Sequence, residues 1–190
     1  MFKFDIKQNI LDKSLKDSQD MGKLRGSITD GDGNIAGFIG EYSVHEKLLL
    51  SEIKRTKDYD LVYKNFLIDV KTKRTTVNYC NPDFEASISN YNPNQQCDIY
   101  IFTRVNIEKR FGWIAGYMTK QEYFSKARFL KKDQIDGSNM FIVKGDCWNL
   151  CYRELYDIED LINKQNEKIN INYHFPFVFN PTSSVSTTSK

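Results

Sequence analysis

Hydrophobic positions in this chain fall into short runs broken by polar pairs, and the sharpest case lies at 60–71. Leu61, Val62 and Tyr63 form one apolar run, Phe66, Leu67 and Ile68 the next, with Lys64 and Asn65 between them. The pattern predicts two short strands joined by a tight two-residue turn. Folding about that turn sets Tyr63 opposite Phe66, Val62 opposite Leu67, Leu61 opposite Ile68 and Asp60 opposite Asp69. Helical spacing predicts a helix over 36–53, with Phe38, Ile39, Tyr42, Leu48 and Leu49 among its apolar positions. Further strands are expected at 84–89, 98–103, 111–117 and 140–143, and the short loop 106–110 implies antiparallel pairing of its flanking strands. Thr119 with Glu122 three residues on reads as a capping box opening a short helix. A last helix is expected over 157–166 on the stripe Ile158, Leu161 and Ile162. Residues 4–24 read as a charged, mildly helical peripheral segment, and 30–34 as a loop. A helix, then a run of strands, then helices implies an α/β layer with a mixed, mostly antiparallel sheet.

Composition adds bounds. With 190 residues, 40% of them hydrophobic and including 13 Phe and 11 Tyr, the chain suffices for one domain with a sizeable core, expected over 1–181. The Ser/Thr-rich end, 182–190, is expected to be a disordered tail. No apolar stretch reaches the length of a membrane span, and the first residues lack an apolar signal core, so a cytoplasmic, intracellular protein is expected. Cys80, Cys97, Cys147 and Cys151 read as small buried thiols rather than bridges or a zinc site. Net charge is only +2, yet residues 71–132 carry 11 Lys or Arg against 5 Asp or Glu. That local excess of six suits contacts to phosphate, although most such clusters are simply solvated surface.

The acids of the hairpin carry the chemistry. Opposed residues in a strand pair share a face about 5 Å apart, and Lys71 lies on the same face about 7 Å beyond Asp69. Two carboxylates held together within apolar strands repel each other and lose hydration, which is costly without a cation. A divalent metal compensates them, and an adjacent ammonium suits an anionic substrate.

The ordered set Glu41, Asp60, Asp69-Val70-Lys71 resembles the PD-(D/E)xK nuclease superfamily, which includes type II restriction enzymes. The family signature is a helix glutamate, an acid on one strand and an acid-x-Lys on the next. The resemblance spans roughly 36–124 and rests on four residues. It departs at Tyr59, where the motif name has proline, and at Asp69, the less usual acid. It implies a restriction-endonuclease-like mixed β-sheet core flanked by helices. It further implies Mg²⁺ (or Mn²⁺) held by Asp60, Asp69 and the Val70 carbonyl with Glu41 in support, and Lys71 as the catalytic lysine. Lys73 and Arg74 would contact backbone phosphates. DNA is the implied substrate, RNA is not distinguished from it, and a homodimer is compatible with the family.

Other readings compete. Asp60 and Asp69 as a solvated pair on an edge hairpin, or Lys71 as a partner of Asp58, would be purely structural. Tyr100, Phe102, Trp113 and Tyr117 read as core, His45 as a structural histidine, and Gln95 and Gln96 as polar helpers at most. A non-catalytic nucleic-acid-binding module on the same fold is the alternative function. A third reading takes Asp30, Asp32, Asn34 and Glu41 as positions one, three, five and twelve of an EF-hand calcium loop, weakened by Ile35 where glycine belongs.

Overall fold

The computed structural model describes residues 1–21, 32–90, 94–137 and 140–163. Among these residues the chain runs β1 (Phe2–Asp5), α1 (Gln8–Met21), α2 (Asp32–Lys47), β2 (Glu52–Ile53), β3 (Leu61–Tyr63), β4 (Phe66–Arg74) and β5 (Glu85–Ser89). It continues through β6 (Ile99–Asn106), β7 (Phe111–Thr119), α3 (Lys120–Lys126), β8 (Arg128–Leu130), β9 (Ile135–Asp136) and β10 (Phe141–Ile142). It ends in β11 (Cys147–Cys151), a 3₁₀ turn (Tyr152–Glu154) and α4 (Ile158–Asn163). The main sheet has six strands in the order β1-β7-β6-β4-β3-β2, and only β4 and β6 run parallel. The expected mixed, mostly antiparallel α/β architecture is present as a curled sheet flanked by helices. A smaller sheet, β5-β11-β8, covers part of one face.

Each face has its own core. Ile68 and Val70 of β4, with Leu61, Tyr63, Ile101 and Ile114, pack against Val44 and Leu48 at the end of α2 and against Ile158 and Leu161 of α4. On the opposite face Tyr100, Phe102 and Met118 pack with Ala86 and Ile88 of β5, Leu150 of β11 and Tyr123 of α3. The strand's two-residue period therefore sends Asp69, Lys71 and Lys73 to the face that carries Tyr100, Phe102 and Arg104, their partners across the β4–β6 ladder. Gly40 lets α2 approach the sheet: a Cβ there would collide with Thr72 Oγ1 and Thr103 Oγ1, which share a 2.8 Å hydrogen bond.

Several expected elements lie where the sequence put them, including β5, β6, β7 and the Thr119 cap, whose hydroxyl accepts from Glu122 N at 3.2 Å. Three differ. The helix expected over 36–53 begins at Asp32, inside the expected loop, and stops at Lys47. There the chain turns through Leu50 at φ 70°, leaving Leu49 and Leu50 75% and 96% exposed. The apolar run 48–50 mimics a helix stripe, but only Leu48 is buried. Residues 2–5 form an edge strand on β7 rather than part of a helix, with Phe4 packed over Gly112. The strands at 128–130 and 147–151 lacked a distinctive pattern. Residues 182–190 and the far end of the last expected helix lie outside the described residues. The four cysteines are free thiols, three of them buried. No helix among the described residues is long and apolar enough to cross a membrane.

Candidate active site

The β3–β4 hairpin closes on Lys64 and Asn65 at φ 49° and 69°. Positive φ at both central residues is the twist that matches flanking strands. The ladder pairs Tyr63 with Phe66, Val62 with Leu67 and Leu61 with Ile68, the register expected from sequence.

The ladder stops at Leu61 with Ile68, so the expected pairing of Asp60 with Asp69 is not formed. Asp60 lies just before the strand, turned toward the open edge of β4, and is pinned on every side. Its N–H donates to Ile68 O at 2.9 Å, and its carbonyl accepts from Lys54 N at 2.7 Å and Arg55 N at 3.1 Å. Its carboxylate Oδ2 accepts from Val70 N at 2.7 Å. Beyond Ile68 this edge of β4 has no strand partner among the described residues. Backbone N–H and C=O of one strand residue point to the same edge, so the Val70 carbonyl is aimed where the Asp60 carboxylate lies.

Asp69 is buried, 4% exposed, on the adjoining face. Its Oδ2 lies 2.5 Å from Lys71 Nζ yet takes no directed hydrogen bond. Its Oδ1 accepts weakly from Gln95 Nε2 at 3.5 Å, and the Gln95 carbonyl oxygen Oε1 accepts from Lys71 Nζ at 3.3 Å. Gln95 itself is anchored by Lys57 O at 3.2 Å and by Lys120, which donates to its backbone oxygen. Lys71 thus serves Asp69 and not Asp58, whose Oδ1 instead takes the Gln96 N–H. Gln96 is exposed and outside the group.

Glu41 projects from α2 and is engaged by Arg55, which donates from Nε to Glu41 Oε2 at 2.8 Å. Nη1 of the same guanidinium lies 2.7 Å from Asp17 Oδ2, and its plane rests against Phe38 and Tyr42 at 4.6 and 4.8 Å. Arg55 has φ 51° and a buried Nη2 with no partner, so it is held in place by its surroundings rather than by local preference. Nothing in the sequence marked it: it stands in a basic loop of ordinary surface composition.

Electrostatically the three acids form one group. Burial, then the charges of Asp69 and Glu41, push the Asp60 carboxyl up to about 8. Burial also raises Glu41, opposed by Arg55 and assisted by Asp69 and Asp17. Clefts where carboxylates are desolvated against one another are where perturbed acids cluster in functional sites.

The remaining candidates divide. Lys73 Nζ donates to Glu85 Oε1 at 2.9 Å and Ser87 Oγ at 3.1 Å, so it is engaged between the sheets, whereas Arg74 is exposed at the strand end. His45 Nδ1 lies 2.8 Å from Ser51 Oγ, a structural contact. Tyr100, Phe102, Trp113 and Tyr117 are buried, as core. The calcium-loop reading fails: Asp32 to Glu41 lie in one continuous helix, whose axis carries residues away from each other instead of wrapping them round an ion, and Asp30 lies outside the described residues.

No three His, Cys, Asp or Glu side chains among the described residues stand close enough to form a ready-made metal cage. The residues nonetheless fit a hard oxygen-loving dication. Mg²⁺ is characteristically held by one or two carboxylates with waters and substrate phosphate, not by an all-protein shell. Asp60, Asp69 with its orphaned Oδ2, and the Val70 carbonyl provide such a partial set. Neither a family model nor a curated protein matches the chain in sequence.

Proposed function

We propose that this chain is a metal-dependent nuclease of the PD-(D/E)xK type, hydrolysing phosphodiester bonds in DNA. The observation that carries the reading is the buried oxygen of Asp69, unpaired except for the Lys71 ammonium and set beside a second desolvated acid, Asp60. Such a group is costly to fold, since burying like charges destabilises. A site that binds a cation and an anionic phosphoryl group offsets that cost.

Asp60, Asp69 and the Val70 carbonyl would hold Mg²⁺ or Mn²⁺ with Glu41 in support, and the ion when bound supplies Lewis-acid charge at the phosphoryl oxygens. Lys71, steadied by Asp69 and Gln95, orients the attacking water and stabilises charge developing on the phosphoryl oxygens. The water oxygen bonds to phosphorus and gives up a proton to solvent, the ester P–O bond breaks, and the departing oxygen takes a proton from solvent. Arg55 restrains Glu41, and Arg74 at the end of β4 contacts a neighbouring phosphate.

The test is cleavage of supercoiled, linear and branched DNA with Mg²⁺ or Mn²⁺ by the wild-type protein and by Asp69→Ala and Lys71→Ala. Expected is cleavage reduced by at least about 10²-fold in each variant. Cleavage that survives both substitutions overturns the site. Binding without cleavage under every condition would favour the non-catalytic module instead.

A further inference from the structure

The same face of β4 leads away from Asp69 to an aromatic shelf that the proposed chemistry does not use. Tyr79, in the segment between β4 and β5, is 59% exposed. Its ring lies nearly parallel on Phe84, at 6.0 Å and 20°. Beneath Phe84 sits the Arg104 guanidinium, 4.2 Å from the ring centre, itself fixed by Glu85 at 2.9 Å. Phe84 thus has both a nearly parallel tyrosine ring and a guanidinium beside it, and Tyr79 keeps most of its surface open to solvent.

The segment carrying Tyr79 is stitched down just before it. Asn106 Nδ2 donates to Val77 O at 3.4 Å, and Lys109 Nζ donates to Asn78 Oδ1 at 2.8 Å. Next to this stitching lies a recess of about 340 Å³ lined by Arg74, Thr75, Thr76, Asn106, Ile107 and Glu108. Arg74 and Lys109 outweigh Glu108 there, so the neighbourhood favours an anion.

We infer that Tyr79 is a stacking platform for an unpaired nucleobase, with the adjoining sugar-phosphate seated in the recess beside Arg74. An exposed ring beside a nearly parallel second ring and an arginine, with cations nearby, is the kind of arrangement that holds single-stranded nucleic acid without reading its sequence. The inference rests on the nuclease reading and refines it. The bound strand runs along β4 and is single-stranded at the far end. Asp69 and Arg74 are five residues apart on one strand, about 17 Å. The phosphate beside Arg74 then lies roughly five nucleotides from the scissile phosphate at a duplex rise of about 3.4 Å per nucleotide, with the stacked base beyond it.

The experiment uses the full chain carrying Asp69→Asn, with Tyr79→Leu and Tyr79→Trp added, and fluorescein-labelled 20-mers as probes. Binding is read by fluorescence anisotropy on a single strand, the matching duplex, and single strands with one abasic site moved along the sequence. Plasmid cleavage by the unaltered active site is followed in parallel. Expected is a ~5- to 100-fold loss of single-strand affinity in Tyr79→Leu, with duplex binding and Tm unmoved and Tyr79→Trp near the parent. The loss should vanish when the abasic site falls at one position, since no base is left to stack. Equal affinities in parent and Tyr79→Leu, or equal losses for single strand and duplex, overturn the platform. If the plasmid is cut in that case, the nuclease reading stands alone. Tyr79-dependent binding without cleavage keeps the platform and removes the nuclease. Absence of both binding and cleavage removes both.

Discussion

Asp60 concentrates the energetic tension of the candidate site. Its carboxyl is raised from an ordinary 3.8 to about 8, first by burial and then by the charges of Asp69 and Glu41. The folded protein therefore holds a proton on Asp60 across a range where the unfolded chain has lost it. Stability contributed in this way is fully present below about pH 4 and is lost as pH rises toward 8. Without added metal, thermal denaturation should show Asp60→Asn gaining about 1–3 kcal/mol over the parent at pH 8 and much less at pH 5. Because a metal ligand must be deprotonated, Mn²⁺ affinity measured by calorimetry should climb between pH 6 and 8 and be largely lost in Asp60→Asn. A pH-independent difference between the two proteins would remove the raised acid. Of the candidate site residues, Asp69 and Lys71 were legible on one face of one strand because a two-residue period leaves little freedom, whereas Asp60 lies off the expected ladder and turns its carboxylate to the Val70 N–H. Gln95 was visible only as a polar residue near the next strand. Arg55 was not legible at all, because its contacts to Glu41 and Asp17 join segments whose meeting no local pattern encodes.

At the scale of elements, the spacing between α2 and β4 decides whether Glu41 can join the strand acids. Gly40, the residue before it, lies against the Thr72 and Thr103 hydroxyls, with no room for a Cβ. Gly40→Ala should therefore push α2 outward, costing about 1–3 kcal/mol in chemical denaturation. The same substitution should lower cleavage more than its stability loss explains, since it displaces Glu41. The glycine is helical, so Ala's better helix propensity offsets only about 1 kcal/mol of that cost. Retained stability with unchanged cleavage would show that the contact yields. Strand elements were largely readable: β6 and β7 combine β-branched and aromatic residues between turn formers, and such runs bury well on a pleated surface. The end of α2 was not, because Leu48, Leu49 and Leu50 are equally apolar while only one can face the sheet.

Across the whole molecule, the two sheets are locked by charge as well as by apolar packing. Glu85 of β5 bridges Lys73 of β4 and Arg104 of β6, each at 2.9 Å, with Tyr152 also on Arg104 at 3.3 Å. The two cations hold the Glu85 carboxyl below its usual range against the opposing effect of burial, and burial pulls Lys73 down. Removing the shared anion leaves two cations, of which Arg104 is buried and Lys73 partly exposed, facing each other between the sheets. Glu85→Ala should destabilise by about 3–5 kcal/mol, whereas an apolar replacement of the whole group would cost far less. Urea denaturation checks this, and hydrogen exchange should show β5 and β11 opening first. A loss below about 1 kcal/mol would mean that solvent already screens the cluster.

Local pattern by itself determined the hairpin, its register, the identity of the acid-x-Lys strand and the mixed sheet, because strand period and turn chemistry act over a few residues. Only the tertiary structure decided which acids share one desolvated space, that Lys73 turns inward to Glu85 while Arg74 faces outward, that Arg55 reaches Glu41, and that Tyr79 rests on Phe84 at the surface. Those outcomes depend on segments tens of residues apart being brought to a few ångströms by the packing of two sheets and a helix. Burial and Coulomb energy are properties of that assembled space, not of any stretch of chain.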